Sequence, residues 1–70
     1  MKRLKELRMG KNITLKQMAE ELNMVQRNYQ RYENGEVDPP LSKAIALADY
    51  FDVSLDFLTG RNDNPNSHKS

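Results

Sequence analysis

T-L-K-Q-M-A-E-E-L-N-M-V-Q-R-N-Y-Q-R-Y-E-N-G, residues 14–35, holds two short helical patterns on either side of one break. In the first, Leu15, Met18, Ala19 and Leu22 recur at the i, i+3, i+4, i+7 spacing of a core-facing helix. Thr14 before it and Gln17 three residues later predict a capping box, each side chain satisfying the other's exposed backbone N–H. Asn23 marks the break, because Asn tolerates the left-handed backbone that a sharp inter-helix turn often needs. Ala19 is small where a partner helix must come close. Asn34-Gly35 ends the second helix, with Gly just past the C-terminus.

The second helix sorts its residues by side. At about 100° per residue, Val25, Tyr29 and Tyr32 fall within roughly 60° of one another. Gln26, Gln30, Arg27 and Arg31 fill an arc of roughly 140° on the opposite side, with Asn28 at its edge. Arg makes bidentate bonds to guanine O6 and N7, and Gln to adenine N6 and N7. Gln26, Arg27 and Arg31 are therefore read as base contacts, with Asn28 and Gln30 beside them. A merely solvated face is the competing reading, but such a face usually mixes in Glu and Lys, and this one has neither. Two short helices, a tight turn and a polar outer face on the second make a helix-turn-helix.

These residues resemble the phage repressor and Cro type of helix-turn-helix, the XRE family, over about residues 2 to 60. Matching features are L-K-E-L-R in the first helix, T-x-x-x-M-A-E-E-L in the second, and Y-x-x-Y-E-N-G closing the third. V-S-L-D-F-L near residue 58 matches the family's closing short helix. The resemblance implies an all-α, compact five-helix lambda-repressor-like DNA-binding domain, usually a homodimer on a two-fold related operator, with helix three in the major groove. It also pairs Arg8 with Glu33, tying helix one to the end of helix three.

Three positions depart from the family pattern. Gln commonly follows the Thr that opens helix two and touches the DNA backbone; here Leu15 and Lys16 follow, moving that expectation to Lys16 and Thr14. Ser commonly caps helix three, where this chain has Val25, which cannot cap; loss of a good cap costs about 1 kcal/mol. Val25 either packs inward or meets a thymine methyl group. Asn23 stands where Gly is frequent.

Seventy residues make one domain, whose core alone supplies on the order of 3–5 kcal/mol. Without Cys there is no disulfide, thiolate metal site or redox chemistry. No apolar run has the length of a signal peptide or membrane span, so the expectation is a cytoplasmic protein without membrane contact. Charge is divided along the chain: residues 1–31 carry +5, residues 32–60 carry −5 and the last ten +1. Such a dipolar chain can present its basic part to phosphates. Lys2, Lys5, Lys11 and Lys16 are candidate phosphate contacts, with Thr14.

Residues 2–9 predict a first helix with Leu4 and Leu7 inward and Lys2, Arg3 and Lys5 outward. Asp38-Pro39-Pro40 predicts a stiff connector. Leu41, Ala44, Ile45, Ala48 and Phe51, widened by Leu47, predict a core stripe. Ser54 predicts the cap of a last helix over 55–58, with Val53 and Leu58 as its hydrophobic staple. Phe57 is assigned to core or to a dimer contact. Residues 61–70, including His68, predict a flexible polar tail following a domain over 1–60.

No enzyme is indicated: the one His is in the tail, no glycine-rich phosphate loop occurs, and Glu20 and Glu21 point in different directions on a helix. No metal, cofactor or small-molecule substrate is expected. The leading reading is a sequence-specific transcriptional regulator, of repressor kind, on a double-stranded DNA operator. The alternative is a small helical protein-interaction module, antitoxin-like or polymerase-binding, which exposed Tyr29, Tyr32 or Phe57 would favour.

Overall fold

Leu4, Met18, Tyr29, Leu47 and Leu58 are the largest fully buried side chains, and each comes from a different helix. The computed structural model describes residues 1–61 apart from the Lys2 side chain. Five helices follow in order: α1 (Lys2–Gly10), α2 (Leu15–Glu21), α3 (Gln26–Glu33), α4 (Leu41–Phe51) and α5 (Leu55–Leu58). Among the described residues there is no strand, and no helix is long and apolar enough to cross a membrane. The all-α, five-helix expectation is borne out. Residues 62–70, and with them His68 and most of the expected tail, lie outside the described residues.

Local chemistry sets the helix-turn-helix. The Gln17 N–H donates to Thr14 Oγ1 at 3.1 Å and the Thr14 N–H to Gln17 Oε1 at 2.9 Å, the reciprocal cap expected of this pair. Asn23 takes φ +58, and the Met24 N–H returns to the Ala19 carbonyl at 2.9 Å, closing α2 and reversing the chain. Lys43 Nζ, from α4, donates to the Leu22 carbonyl at 2.7 Å and so satisfies an end of α2 that the turn leaves open. At the far end of α3, Gly35 has φ +76 and the Glu36 N–H reaches the Arg31 carbonyl at 3.0 Å.

Three expectations need correction. Val25 is the N-cap of α3, with extended backbone (φ −68, ψ 137), so helical angles do not apply to it; its side chain is 66% exposed, away from Tyr29 and Tyr32. On α4 the buried set is Ala44, Leu47, Ala48 and Phe51, whose common centre leaves Ile45 about 110° away. Ile45 is therefore 43% exposed, and Leu41, on the first turn beside an open depression shared with Leu55, is 69% exposed. Arg3 is half-buried rather than outward: its guanidinium lies 4.2 Å above the Phe57 ring and donates to the Phe57 carbonyl at 3.2 Å. Phe57 thereby packs partly against the core. Ser54 caps α5 by accepting from the Phe57 N–H at 3.0 Å, and Val53 and Leu58 are both buried beside it.

Candidate nucleic-acid interface

The inner face of α3 fixes the helix in rotation. Tyr29 and Tyr32 are buried edge to face, with ring centroids 6.2 Å apart. One turn further on, Glu33 receives Arg8 in a two-point contact, Nε to Oε2 at 2.6 Å and Nη2 to Oε1 at 3.2 Å. The third arm of the guanidinium, Nη1, donates to the Ile13 carbonyl at 2.8 Å. One buried cation thus joins α1, the turn before α2 and the end of α3. The hydrogen bond to Glu33 raises the Arg8 pKa, against a smaller opposing effect of burial. Burial pushes the Tyr29 hydroxyl well above its ordinary value, and the neighbouring Glu33 charge adds to that.

The outer face is free of internal work. Gln26, Arg27, Asn28, Gln30 and Arg31 are all exposed, and none makes a side-chain hydrogen bond or ion pair to another described residue. Arg27, Gln30 and Arg31 line a shallow polar depression with Asn34 and Glu36. The structure thus brings together Arg27, Gln30 and Arg31 of the expected base-reading residues, while Asn28 lines a depression nearer the turn and Gln26 lines neither. Lys5, Lys11, Thr14 and Lys16 are exposed, and the Thr14 oxygen already serves the α2 cap. The Lys2 side chain lies outside what is described.

Residues 4–58 match the model of the helix-turn-helix family. The chain belongs to that family. The likeness to the phage repressor and Cro type is thereby borne out. This helix-turn-helix chain is 38% identical over 63 residues to the uncharacterized HTH-type transcriptional regulator YobD of Bacillus subtilis, covering 90% of this chain and 56% of that protein. It is 37% identical over 62 residues to the HTH-type transcriptional regulator ImmR of Bacillus subtilis (89% and 49% covered). It is also 37% identical over 59 residues to the cryptic phage CTXphi transcriptional repressor RstR of Vibrio cholerae (84% and 53% covered). The chain spans about half the length of these relatives. No solved structure matches it.

Two contributors to the site were not foreseen. Lys43 fastens the turn of the motif through a main-chain carbonyl, a contact with no sequence signature. Glu36 places an acidic group on the rim of the Arg27–Arg31 depression, where its side chain accepts from Asn34 Nδ2 at 3.3 Å. Its position just after the α3-terminating Gly35 was the available signal.

Proposed function

We propose that this helix-turn-helix chain is a sequence-specific DNA-binding transcriptional regulator of repressor kind, acting as a homodimer on a two-fold related operator. One observation carries the reading: α3 is pinned by its inner face, while five exposed hydrogen-bonding side chains project from it with no side-chain partner among the described residues. Arg27, Arg31 and Gln26 read base edges in the major groove, Asn28 and Gln30 support them, and Lys2, Lys5, Lys11, Thr14 and Lys16 hold phosphates. Two copies of α3 then sit about 34 Å apart, one turn of the duplex. The +5 charge of residues 1–31 favours that side of the chain meeting the phosphates. The relatives are transcriptional regulators, one of them a phage repressor, which supports the same reading. The protein-interaction alternative loses two of its supports, because Tyr29 and Tyr32 are buried.

Selection of bound duplexes from a random pool, with affinity then measured at two salt concentrations, tests this. The expected result is an enriched, two-fold symmetric site whose binding falls steeply with salt. Absence of any enriched sequence at low salt would overturn it.

A further inference from the structure

Within residues 14–35, Val25 is the one large apolar side chain that is exposed, at 66%. It occupies an N-cap with the same extended backbone as Thr14 and Ser54, which cap α2 and α5 by accepting a backbone N–H. Valine cannot accept one, and α3 begins without a side-chain cap. The residue therefore supplies neither a cap nor core burial, and folding gives no reason for an apolar group there.

Its setting suggests what it meets. Val25 shares a shallow depression with Asn23, Met24, Asn28, Lys43 and Glu20. Met24 is half-buried and packs against the core, so its stem gives the depression an apolar floor. Lys43 is held at the rim by the Leu22 carbonyl. The Glu20 carboxylate repels a phosphate, but not the uncharged edge of a base. Gln26 and Arg27, the first two residues of the outer face of α3, follow Val25 directly.

We propose that Val25 is a specificity residue that receives the C5-methyl group of a pyrimidine in the major groove. This rests on the reading of α3 as the base-contacting helix. The contact is between methyl groups and excludes water from both, and Asn28, on the next turn, is left to hydrogen-bond the neighbouring base edge. The ligand chemistry is shared by thymine and 5-methylcytosine. Burial of one methyl-sized apolar group corresponds to about fourfold in affinity for each half-site.

The experiment uses the whole chain and the duplex that the random pool yields. Each thymine is replaced in turn by uracil, which removes the methyl group and nothing else. One position per half-site is expected to lose about fourfold in affinity. That loss is expected to vanish in Val25→Ala, while the penalties for changing the bases read by Arg27 and Arg31 persist. Cytosine against 5-methylcytosine at the same position separates the two sources: tighter binding to 5-methylcytosine than to thymine assigns the site to methylated DNA, and the reverse assigns it to thymine. An enriched site with a flat uracil scan and no gain from cytosine methylation overturns the Val25 contact and leaves the DNA reading intact. A uracil penalty of unchanged size in Val25→Ala also overturns it. A pool that yields no site overturns the DNA reading itself and the Val25 contact with it. The scan on the unmodified protein decides the matter even if the variant folds poorly.

Discussion

Helices α3 and α4 each turn one face to the core, but they use the outer face in opposite ways. On α3 the outward residues are Gln26, Arg27, Asn28, Gln30 and Arg31, all hydrogen-bonding groups. On α4 they include Leu41, Ile45 and Tyr50, all exposed apolar side chains. Among the described residues the outer set of α3 makes no side-chain hydrogen bond or ion pair. On α4 Tyr50 packs edge to face on Phe51, with ring centroids 5.2 Å apart, while Leu41 and Ile45 lie outside the buried core. On the proposed reading, stability and DNA binding fall on different faces of α3, and substitutions can separate them.

The inner face of α3 should give the largest effect. Arg8→Ala leaves the Glu33 carboxylate, only 3% exposed, without its cation and frees the Ile13 carbonyl. The expected loss is about 3–5 kcal/mol, comparable with the whole stability of so small a domain. A denaturant titration followed by circular dichroism should show the variant largely unfolded. Replacing both partners, Arg8→Met with Glu33→Met, should recover most of that loss, since no buried charge is then stranded. If Arg8→Ala is as stable as the parent, the pair does not anchor α3.

The outer face of α3 should behave in the reverse manner. Arg27→Ala and Arg31→Ala should leave stability within about 0.5 kcal/mol. Each should cost about 1–3 kcal/mol in operator binding and relax one base position, as read by repeating the duplex selection. Lys16→Ala should weaken all sequences alike and lower the salt slope by about one. Unchanged operator preference in the double Arg variant would remove the base-reading role from this face.

The contrast between the helices also explains what could be read from the sequence. On α2 and α3 the signals are local. The Thr14–Gln17 box, Asn23 in the left-handed region, and the Tyr29 and Tyr32 spacing depend on residues within one turn of each other, and they appear as expected. Arg8–Glu33 spans 25 residues and came only through family likeness. On α4 a stripe drawn from Leu41 overcounts, because it takes in Ile45, about 110° from the centre of the buried set, and Leu41 itself, which lies beside an open depression. Val25 was placed with the tyrosines for a related reason, since a helical angle has no meaning at an N-cap with extended backbone. Arg3 over Phe57 and Lys43 on Leu22 are contacts between distant segments, which no spacing rule contains.

A smaller effect should come from the Tyr29 hydroxyl, which is buried beside the Glu33 carboxylate and makes no well-formed hydrogen bond among the described residues. Tyr29→Phe strands nothing and should be neutral or slightly stabilising at pH 7. The raised pKa gives a signed pH dependence. Above about pH 10 the unfolded chain releases this proton while the folded chain keeps it, so stability falls as pH rises, by at most about 1.4 kcal/mol per pH unit. Below that pH the contribution is fully present. Unfolding titrations from pH 8 to 11 should therefore show the parent losing ground relative to Tyr29→Phe, and parallel curves would place the hydroxyl in contact with water.

The outer face of α4 should give the smallest effect in dilute solution. Leu41 and Ile45 lie outside the core of the single chain, so Leu41→Gln and Ile45→Gln remove little buried apolar area. Gln is also as good a helix former as Leu and better than Ile. The expected change in stability is within about 0.5 kcal/mol, measured by denaturant unfolding at two protein concentrations tenfold apart. Stability that depends on association rises with concentration by mass action. A loss that is small when dilute and grows with concentration would mean that a second copy covers these side chains, and α4 would then resemble α3 in keeping its outer face for a partner. Equal small losses at both concentrations would leave α4 as the helix whose outward residues serve neither folding nor assembly.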